Sequence, residues 1–380
     1  MMSKGEWLFR VIGFDFAGAI AEMVLGFLNR SWQQVAQAAA RLVTKGRLAK
    51  GLVLCLVALL TTSCGNVYLS DTETNPWEVI ALPTEASISD VDFASDGEHG
   101  WLVGSRTTLL ESTDSGKTWD PRILELGDQQ YTFTSIDFSG DEGWLVGQPN
   151  IMLHTEDGGT SWSNIPLDPQ LPGQPLLVTA TGPDSAELAT DIGAIYKTED
   201  GGKNWQGLVQ SAVGVVRNMT RNEEGRYVAV SSRGNFYSTW VPGQESWTPH
   251  NRENSKRLQN MGFDKDGTLW LIARGGQMQF GTEDTNYEDW GEPINPEFAS
   301  SWGLLDVAYR TPEELWVTGG SGNLLQSKDG GETWAKDKDV ENVPTNFYRI
   351  KFLDDDRGYV LGQRGYLLRY EEEPLATQAA

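Results

Sequence analysis

A short motif that ends in tryptophan recurs along this chain at a nearly constant interval. Its clearest copy, at residues 327–334, reads Ser-Lys-Asp-Gly-Gly-Glu-Thr-Trp, and close copies begin at residues 112, 155 and 198. Degenerate copies and one isolated tryptophan complete a series that lies 42–44 residues apart: Trp77, Trp119, Trp162, Trp205, Trp247, Trp290 and Trp334. A fixed period of this length indicates a repeat architecture such as a propeller or a solenoid.

The motif has the chemistry of a tight turn. Its aspartate accepts backbone N–H groups, as in Asx-turns. Its glycines adopt positive φ without a Cβ clash. A hydroxyl group closes the turn, and the tryptophan supplies a large buried surface. Because a turn repeated this often is typical of a scaffold, we predict that the motif is structural rather than a binding site.

Each repeat contains four short strand-like segments, which is typical of a propeller blade. The second segment is apolar and occurs seven times, at residues 101–104, 143–147, 186–190, 227–231, 269–273, 315–319 and 358–362. The last repeat has three strands of its own, and residues 77–79 supply the missing fourth. Pairing the two ends of the chain closes the ring and removes its free edges.

The sequence therefore predicts an all-β fold, a seven-bladed β-propeller with four-stranded antiparallel blades at residues 76–372. The N-terminal strand completes the last blade, and residues 373–380 form a C-terminal tail. A right-handed β-solenoid is the structural alternative, although it would not need strands divided between the two ends of the chain.

The N-terminal region has the features of a secretory signal. Basic residues precede an apolar run at residues 51–60, and small residues follow it up to Cys64. The run is shorter than the ~20 residues that a membrane-spanning helix needs. The pattern resembles a lipobox, with Thr61 in place of the usual leucine, and predicts lipidation of Cys64 and anchoring to a membrane. A plain cleaved signal and an uncleaved anchor are the alternatives.

Residues 1–63 are thus predicted to be an N-terminal extension with a lipoprotein-type signal, and residues 64–75 a linker. Our hypothesis for residues 1–40 is a mis-called translation start, because residues 42–63 alone would make a normal signal. An amphipathic helix on the membrane surface is the alternative for this segment.

Composition argues against several kinds of site. The formal net charge is −23, and such an acidic surface repels nucleic acid. The only histidines, His99, His154 and His250, occupy unrelated positions in their repeats, and no cysteine follows Cys64. We therefore predict no metal site, no cofactor and no nucleic-acid partner.

Cations are concentrated in one part of the chain. Residues 217–274 contain nine Lys or Arg and six Asp or Glu. In an up-and-down blade, the turns after the second strands and the connections between blades share one face, opposite the Asp turns. Cations gathered there predict a docking site for carboxylates or an acidic peptide. The cations at these positions are Arg106, Arg217, Arg233, Arg252, Lys256, Arg257, Arg274 and Arg364. The alternative is that these charges are solvated and paired with neighbouring acids.

The Asp turns resemble the Asp-box of sialidase-like and sortilin-like propellers. A more specific resemblance combines the lipobox-like signal and the seven repeats with residues 216–219 (Val-Arg-Asn-Met), 231–237 (Ser-Ser-Arg-Gly-Asn-Phe-Tyr), 249–252 (Pro-His-Asn-Arg) and 258–263 (Leu-Gln-Asn-Met-Gly-Phe). Together these features resemble the photosystem II stability and assembly factor family, which comprises a cyanobacterial lipoprotein on the lumenal side of thylakoids and a plastid counterpart.

That resemblance implies a non-enzymatic factor that binds the newly made reaction-centre core subunit precursor during early photosystem II assembly and repair. It also implies that arginines of this part of the chain form the contact surface. We assign that surface to the residues that fit both the resemblance and the face argument: Arg217, Arg233, Arg252, Lys256, Arg257 and Arg274. We expect the protein to act as a monomer.

Two alternative functions belong to other classes of propeller. A sialidase-like hydrolase would carry an aromatic-Arg-Ile-Pro motif early in the fold, whereas the nearest match here is Tyr348-Arg349-Ile350-Lys351 in the last repeat, without the proline. We expect Arg349 to face the channel from a strand. A general periplasmic or lumenal scaffold propeller with another protein partner is the second alternative.

Overall fold

The computed structural model describes residues 69–251, 256–282, 287–296 and 303–371, and every regular element in these ranges is a β-strand. Two strands, β1 (Ser70–Asp71) and β2 (Trp77–Ala81), precede the first blade. Blade 1 comprises β3 (Ile88–Phe93), β4 (Gly100–Gly104), β5 (Thr108–Ser112) and β6 (Asp120–Pro121). Blade 2 comprises β7 (Thr132–Ser139), β8 (Glu142–Gln148), β9 (Ile151–Thr155) and β10 (Ser163–Asn164). Blade 3 comprises β11 (Pro175–Gly182), β12 (Ser185–Thr190), β13 (Ile195–Thr198) and β14 (Gln206–Gly207).

Blades 4 to 7 continue the same order around the ring. Blade 4 comprises β15 (Val216–Arg221), β16 (Tyr227–Ser231), β17 (Phe236–Trp240) and β18 (Thr248–Asn251), and blade 5 comprises β19 (Leu258–Phe263), β20 (Leu269–Ala273) and β21 (Gln277–Phe280). Blade 6 comprises β22 (Leu304–Tyr309), β23 (Leu315–Gly319), β24 (Leu324–Ser327) and β25 (Ala335–Lys336). Blade 7 comprises β26 (Phe347–Asp354), β27 (Arg357–Gly362) and β28 (Tyr366–Tyr370). The seven-bladed propeller predicted from the period is confirmed.

The second strand of a blade is buried because neighbouring blades cover both of its faces. In β4, Trp101, Leu102 and Val103 have no exposed surface. A strand covered on both faces is continuously apolar rather than alternating, which explains the recurring apolar segments. A Cβ atom at Gly104 would lie 2.3 Å from the carbonyl oxygen of Ser87, so this glycine allows the adjoining backbone to approach closely.

The two ends of the chain close the ring, as predicted. Strand β2 pairs antiparallel with β28, in a register that places Trp77 opposite Tyr370. The Trp77 ring packs edge-on against both Trp316 and Tyr370, with centroid distances of 5.3 Å. Blade 7 therefore takes its outer strand from the start of the propeller, and separating the ends would expose this aromatic cluster.

Strand β1 was not predicted, because the sequence indicates only a linker there. Ser70 and Asp71 pair in parallel with the outer strand of blade 6, β25. The Asp71 carboxylate accepts the backbone N–H of Lys338 at 3.2 Å, and Leu69 packs against the core cluster that contains Trp334. The short strand thus adds a fifth member to this sheet.

The Asp turns make the bonds that the sequence predicts. In the first copy, Asp114 accepts the backbone N–H of Thr118 at 2.9 Å, and the Ser112 hydroxyl accepts the N–H of Gly116 at 2.9 Å. The indole N–H of Trp119 donates to the Gly116 carbonyl at 3.1 Å. Hydrogen bonds, first from the Thr118 hydroxyl, lower the pKa of Asp114 to about 2. The same aspartate and hydroxyl bonds recur in the other three clear copies.

Blades 4 and 5 depart from this turn pattern. In blade 5, two isolated bridges, Met278–Ile294 and Gly281–Trp290, stand where the fourth strand would lie. The Trp290 indole donates to the Tyr237 hydroxyl at 3.3 Å rather than to a glycine of its own turn. The repeated tryptophan is therefore retained as an anchor although residues 282–290 contain neither glycine of the motif.

Candidate partner-binding face

One face of the ring carries the turns between second and third strands together with the connections between blades. Backbone hydrogen bonds join the two sets: the N–H of Leu258, where blade 5 begins, donates to the carbonyl of Gly234 in the blade 4 turn at 2.8 Å. The Asp turns lie on the opposite face, where the N–H of Ser115 donates to the carbonyl of Glu98 at 3.1 Å. The structure thus separates a face of inter-blade connections from a face of Asp turns.

Four of the six predicted site residues form a row on the connection face across blades 4 and 5. We call it the arginine row, and its members are Arg217, Arg233, Arg257 and Arg274. The Arg217 guanidinium donates to the carbonyl of Ser232 at 3.2 Å and to Oε1 of Gln259 at 2.7 Å. The N–H of Arg274 donates to the carbonyl of Arg257 at 2.8 Å. These bonds connect the start of β15, the blade 4 turn, the start of β19 and the blade 5 turn.

All four side chains of the row are exposed, and none of them forms an ion pair with a residue that the structure describes. The two acceptors that contact the Arg217 guanidinium are neutral. Among the residues that the structure describes, no carboxylate therefore pairs with the charges of the row. Exposed guanidinium groups present planar, paired donors that match a carboxylate.

The other cations of residues 217–274 behave differently. Arg221, Arg226 and Lys265 lie where the first strand of a blade turns into the second, on the face of the Asp turns, and each is in an ion pair. The closest of the three joins Arg226 to Glu224 at 2.6 Å. The alternative of locally paired charges holds for these three, so the cation-rich stretch contains two populations on opposite faces.

The remaining predicted positions fall outside the row. Lys256 is exposed next to Arg257. Arg252 and Cys64 lie outside the described residues, as do the predicted signal and C-terminal tail. Arg106 and Arg364 occupy the corresponding turns of blades 1 and 7, both with left-handed backbone (φ 60° and 57°), and are not part of the row.

The residues nearest to a sialidase motif serve ring closure. As expected, Arg349 lies on an inner strand, β26. Its guanidinium donates to the Ser89 carbonyl at 2.8 Å and lies 3.4 Å from Asp90. Lys351 donates to the Val91 carbonyl at 2.9 Å. These bonds tie the inner strand of blade 7 to that of blade 1.

Acidic side chains on the inner strands link neighbouring blades. Asp137 of blade 2 accepts the N–H of Ala180 in blade 3 at 2.8 Å, and Asp306 of blade 6 accepts the N–H of Ile350 in blade 7 at 3.0 Å. Loss of contact with bulk water, together with nearby Asp92, raises the pKa of Asp137 to about 7. Burial raises the pKa of Asp306 to about 6.

Within the described ranges, no group of three or more His, Cys, Asp or Glu side chains is arranged to hold a metal ion. Across the same ranges, no helix is long and apolar enough to cross a bilayer.

Sequence reasoning missed two residues beside the row. Gln259 holds the Arg217 guanidinium from the next blade, and the 42-residue separation of the two positions, one repeat period, was an available signal. Val215 is 60% exposed, although it lies in an apolar stretch that reads as buried.

Comparison with known proteins identifies the family. A family model described as photosynthesis system II assembly factor YCF48 matches residues 69–371. The chain belongs to the Ycf48 family of photosystem II assembly factors. It is 56% identical over 328 residues to the photosystem II assembly lipoprotein Ycf48 of Trichormus variabilis. The aligned region covers 86% of this chain and 96% of the relative.

Solved Ycf48 structures have the same fold. "YCF48 bound to D1 peptide" superposes with a TM-score of 0.78 at 56% identity and covers 80% of this chain and 100% of that chain. "YCF48 from Cyanidioschyzon merolae" has a TM-score of 0.74 at 40% identity, over 78% of this chain and 99% of that one. Both the fold and the family inferred from the sequence are confirmed.

Proposed function

We propose that this protein binds the newly synthesised reaction-centre core subunit precursor of photosystem II during biogenesis and repair, and that the arginine row is the contact surface. The observation that carries the proposal is a row of four exposed arginines without a described ion-pair partner, in a protein of net charge −23. A similar protein has been solved with a D1 peptide, which supports a reaction-centre polypeptide as the ligand.

The role proposed for the protein is binding, without catalysis. Exposed guanidinium groups attract carboxylates over a distance and then hold them through paired hydrogen bonds. Since the row is solvent-exposed, added salt screens the attraction and weakens capture. The proposed contact surface includes Lys256, which is exposed next to Arg257. It also includes Arg252, which lies outside the described residues and is assigned from the sequence alone.

The proposal also includes a location. A lipid on Cys64 would anchor the protein to the thylakoid membrane on its lumenal side, with residues 64–75 as the linker to a monomeric propeller. Relatives named as lipoproteins support the anchor. Mass spectrometry of the native N-terminus would test it, because a mature chain that starts at an unmodified residue other than Cys64 would contradict lipidation.

A charge-reversal pair tests the contact surface. We expect Arg233→Glu with Arg257→Glu to abolish co-purification of early photosystem II intermediates and to weaken binding of a D1 peptide by about 100-fold or more. The fold should be unaffected, because both side chains are exposed. The readouts are a pull-down from detergent-solubilised membranes and a peptide titration.

A matched control reverses two cations on the other face, Arg226→Glu with Lys265→Glu. It changes the net charge by the same amount and is expected to leave capture unchanged. Undiminished capture by the Arg233 and Arg257 double variant would contradict the proposed contact surface, and equal losses in both double variants would indicate an effect of net charge alone.

A further inference from the structure

An exposed apolar side chain stands at one end of the arginine row. Val215 lies in the connection from blade 3 to blade 4, two residues before Arg217, and is 60% exposed. Single exposed valines are common on protein surfaces. Val215 differs from such residues in how its backbone is held and in what surrounds it.

The backbone around Val215 is fixed from both sides. The N–H of Val216 donates to the carbonyl of Asp191 in the blade 3 turn at 2.9 Å. On the other side, the Val215 carbonyl accepts the N–H of Ser232 in the blade 4 turn at 3.0 Å. Ser232 also accepts a hydrogen bond from Arg217. The valine is therefore part of the same hydrogen-bonded surface as the row.

The apolar neighbours of Val215 in sequence pack inward. Val213 and Val216 contact the core cluster formed around Trp240 and Trp247, whereas Val215 is not part of that cluster. Because hydrogen bonds fix the backbone on both sides of Val215, its side chain stays outside the core that Val213 and Val216 help to fill. An apolar surface beside well-placed polar groups is the usual composition of an interface anchor.

Charge changes sign across Val215. Asp191 lies on the blade 3 side, and its carboxylate accepts the N–H of Gln174 at 2.8 Å. Arg217 and Arg233 lie on the blade 4 side. A ligand carboxylate is repelled at the first side and attracted at the second. An extended acidic ligand on the row would therefore place an uncharged part of its chain near Val215.

We propose that Val215 is a specificity-determining contact, on which an apolar side chain of the bound peptide packs while neighbouring carboxylates of that peptide occupy the arginine row. The proposal rests on the proposed function and adds to it the kind of peptide that is selected: an acidic segment with an apolar residue next to its carboxylates. Carboxylates alone would satisfy the row but would leave Val215 exposed.

A peptide titration with two substitutions tests this contact. The probes are a D1 peptide and a set of its variants in which each apolar residue is replaced in turn by serine. We expect Val215→Ser to weaken binding of the parent peptide by about three- to tenfold, as removal of a partly buried apolar contact does. One serine variant of the peptide should bind the wild-type protein more weakly by a similar factor. The same peptide should bind the Val215→Ser protein no more weakly than it binds the wild type. That non-additivity identifies the contacting residue.

The matched control is Ile123→Ser. Ile123 is 88% exposed in the equivalent connection, from blade 1 to blade 2, away from the arginine row. The Ile123→Ser protein should bind the parent peptide with unchanged affinity. Both variants should unfold at the wild-type temperature, because both side chains are exposed, and the loss caused by Val215→Ser should persist at high salt.

The outcomes separate this inference from the proposed function. Wild-type affinity in Val215→Ser, combined with loss of binding in the Arg233 and Arg257 charge-reversal variant, would overturn the role of Val215 and leave the arginine row standing. Retained binding in the charge-reversal variant would overturn the proposed contact surface itself. Absence of binding between the wild-type protein and the parent peptide would overturn both.

Discussion

Two arginines of one strand show how this propeller uses charge in two ways. Arg217 and Arg221 both belong to β15 and reach opposite faces of the ring. Arg217 is exposed and contacts neutral oxygens, whereas the side chain of Arg221 is 13% exposed and lies 2.9 Å from the Glu187 carboxylate of blade 3. The first charge remains free for a partner, and the second holds two blades together.

Charges that hold blades together also occur on the inner strands of the ring. Lys351 and Arg349 of blade 7 lie within 3.7 Å and 3.4 Å of Asp90 in blade 1, and they help to close the propeller. We therefore expect substitutions among interior charges to affect stability, and substitutions in the arginine row to affect binding with little change in stability.

The largest effect on stability is expected at Arg221. Arg221→Ala would leave the Glu187 carboxylate largely buried without its cation, although the Tyr227 hydroxyl still donates to it at 2.9 Å. Breaking a buried pair in this way destabilises a protein by roughly 3–5 kcal/mol. Arg217→Ala is the control and should change the free energy of unfolding by no more than about 0.5 kcal/mol. Urea denaturation measures both, and equal losses would remove the distinction between the two arginines.

An intermediate effect on stability is expected from the titration of Asp137 on the inner strand of blade 2. Loss of contact with bulk water and the neighbouring Asp92 raise the pKa of Asp137 to about 7, although Lys351 opposes that rise. The contribution of Asp137 to stability is therefore complete below the usual pKa and is lost as pH rises through about 7. Asp137→Asn should flatten the fall in stability between about pH 4 and 7, by on the order of 2 kcal/mol.

Asp114 provides a control for the pH experiment. Its pKa is lowered to about 2, so its contribution is present above the usual pKa and is lost only as pH falls toward 2. Asp114→Asn should therefore leave the slope between about pH 4 and 7 unchanged. Thermal melts across the pH range measure both variants. An unaltered slope in Asp137→Asn would show that the general acidity of the protein, rather than this carboxylate, sets the dependence.

The smallest effect sharpens the chemistry of the row. Arg217→Lys keeps the positive charge but removes the planar paired donors that bridge Ser232 and Gln259. We expect binding of a D1 peptide to weaken by about threefold, with unchanged stability and unchanged dependence on salt. Full affinity in the lysine variant would mean that Arg217 acts as a simple point charge.

Most of the fold was predictable because its signals are local and repeated. The apolar segments at residues 227–231, 269–273 and 315–319 coincide with β16, β20 and β23. The pairing of β1 was not predictable, because Ser70 and Asp71 carry no apolar pattern and their partner strand lies more than 260 residues away. A two-residue strand depends on the edge that accepts it rather than on its own propensity.

The sequence by itself determined the number of blades, the closure through Trp77 and the face on which each kind of turn lies, since a regular period sets strand order and successive turns alternate between faces. The tertiary structure decided which cations are paired. Arg221 meets Glu187 from the preceding blade, and Arg217 meets Gln259 from the next. Such pairs depend on the distance between side chains of adjacent blades, which composition and period do not contain. The same geometry left Val215 outside the core while its neighbours packed inward.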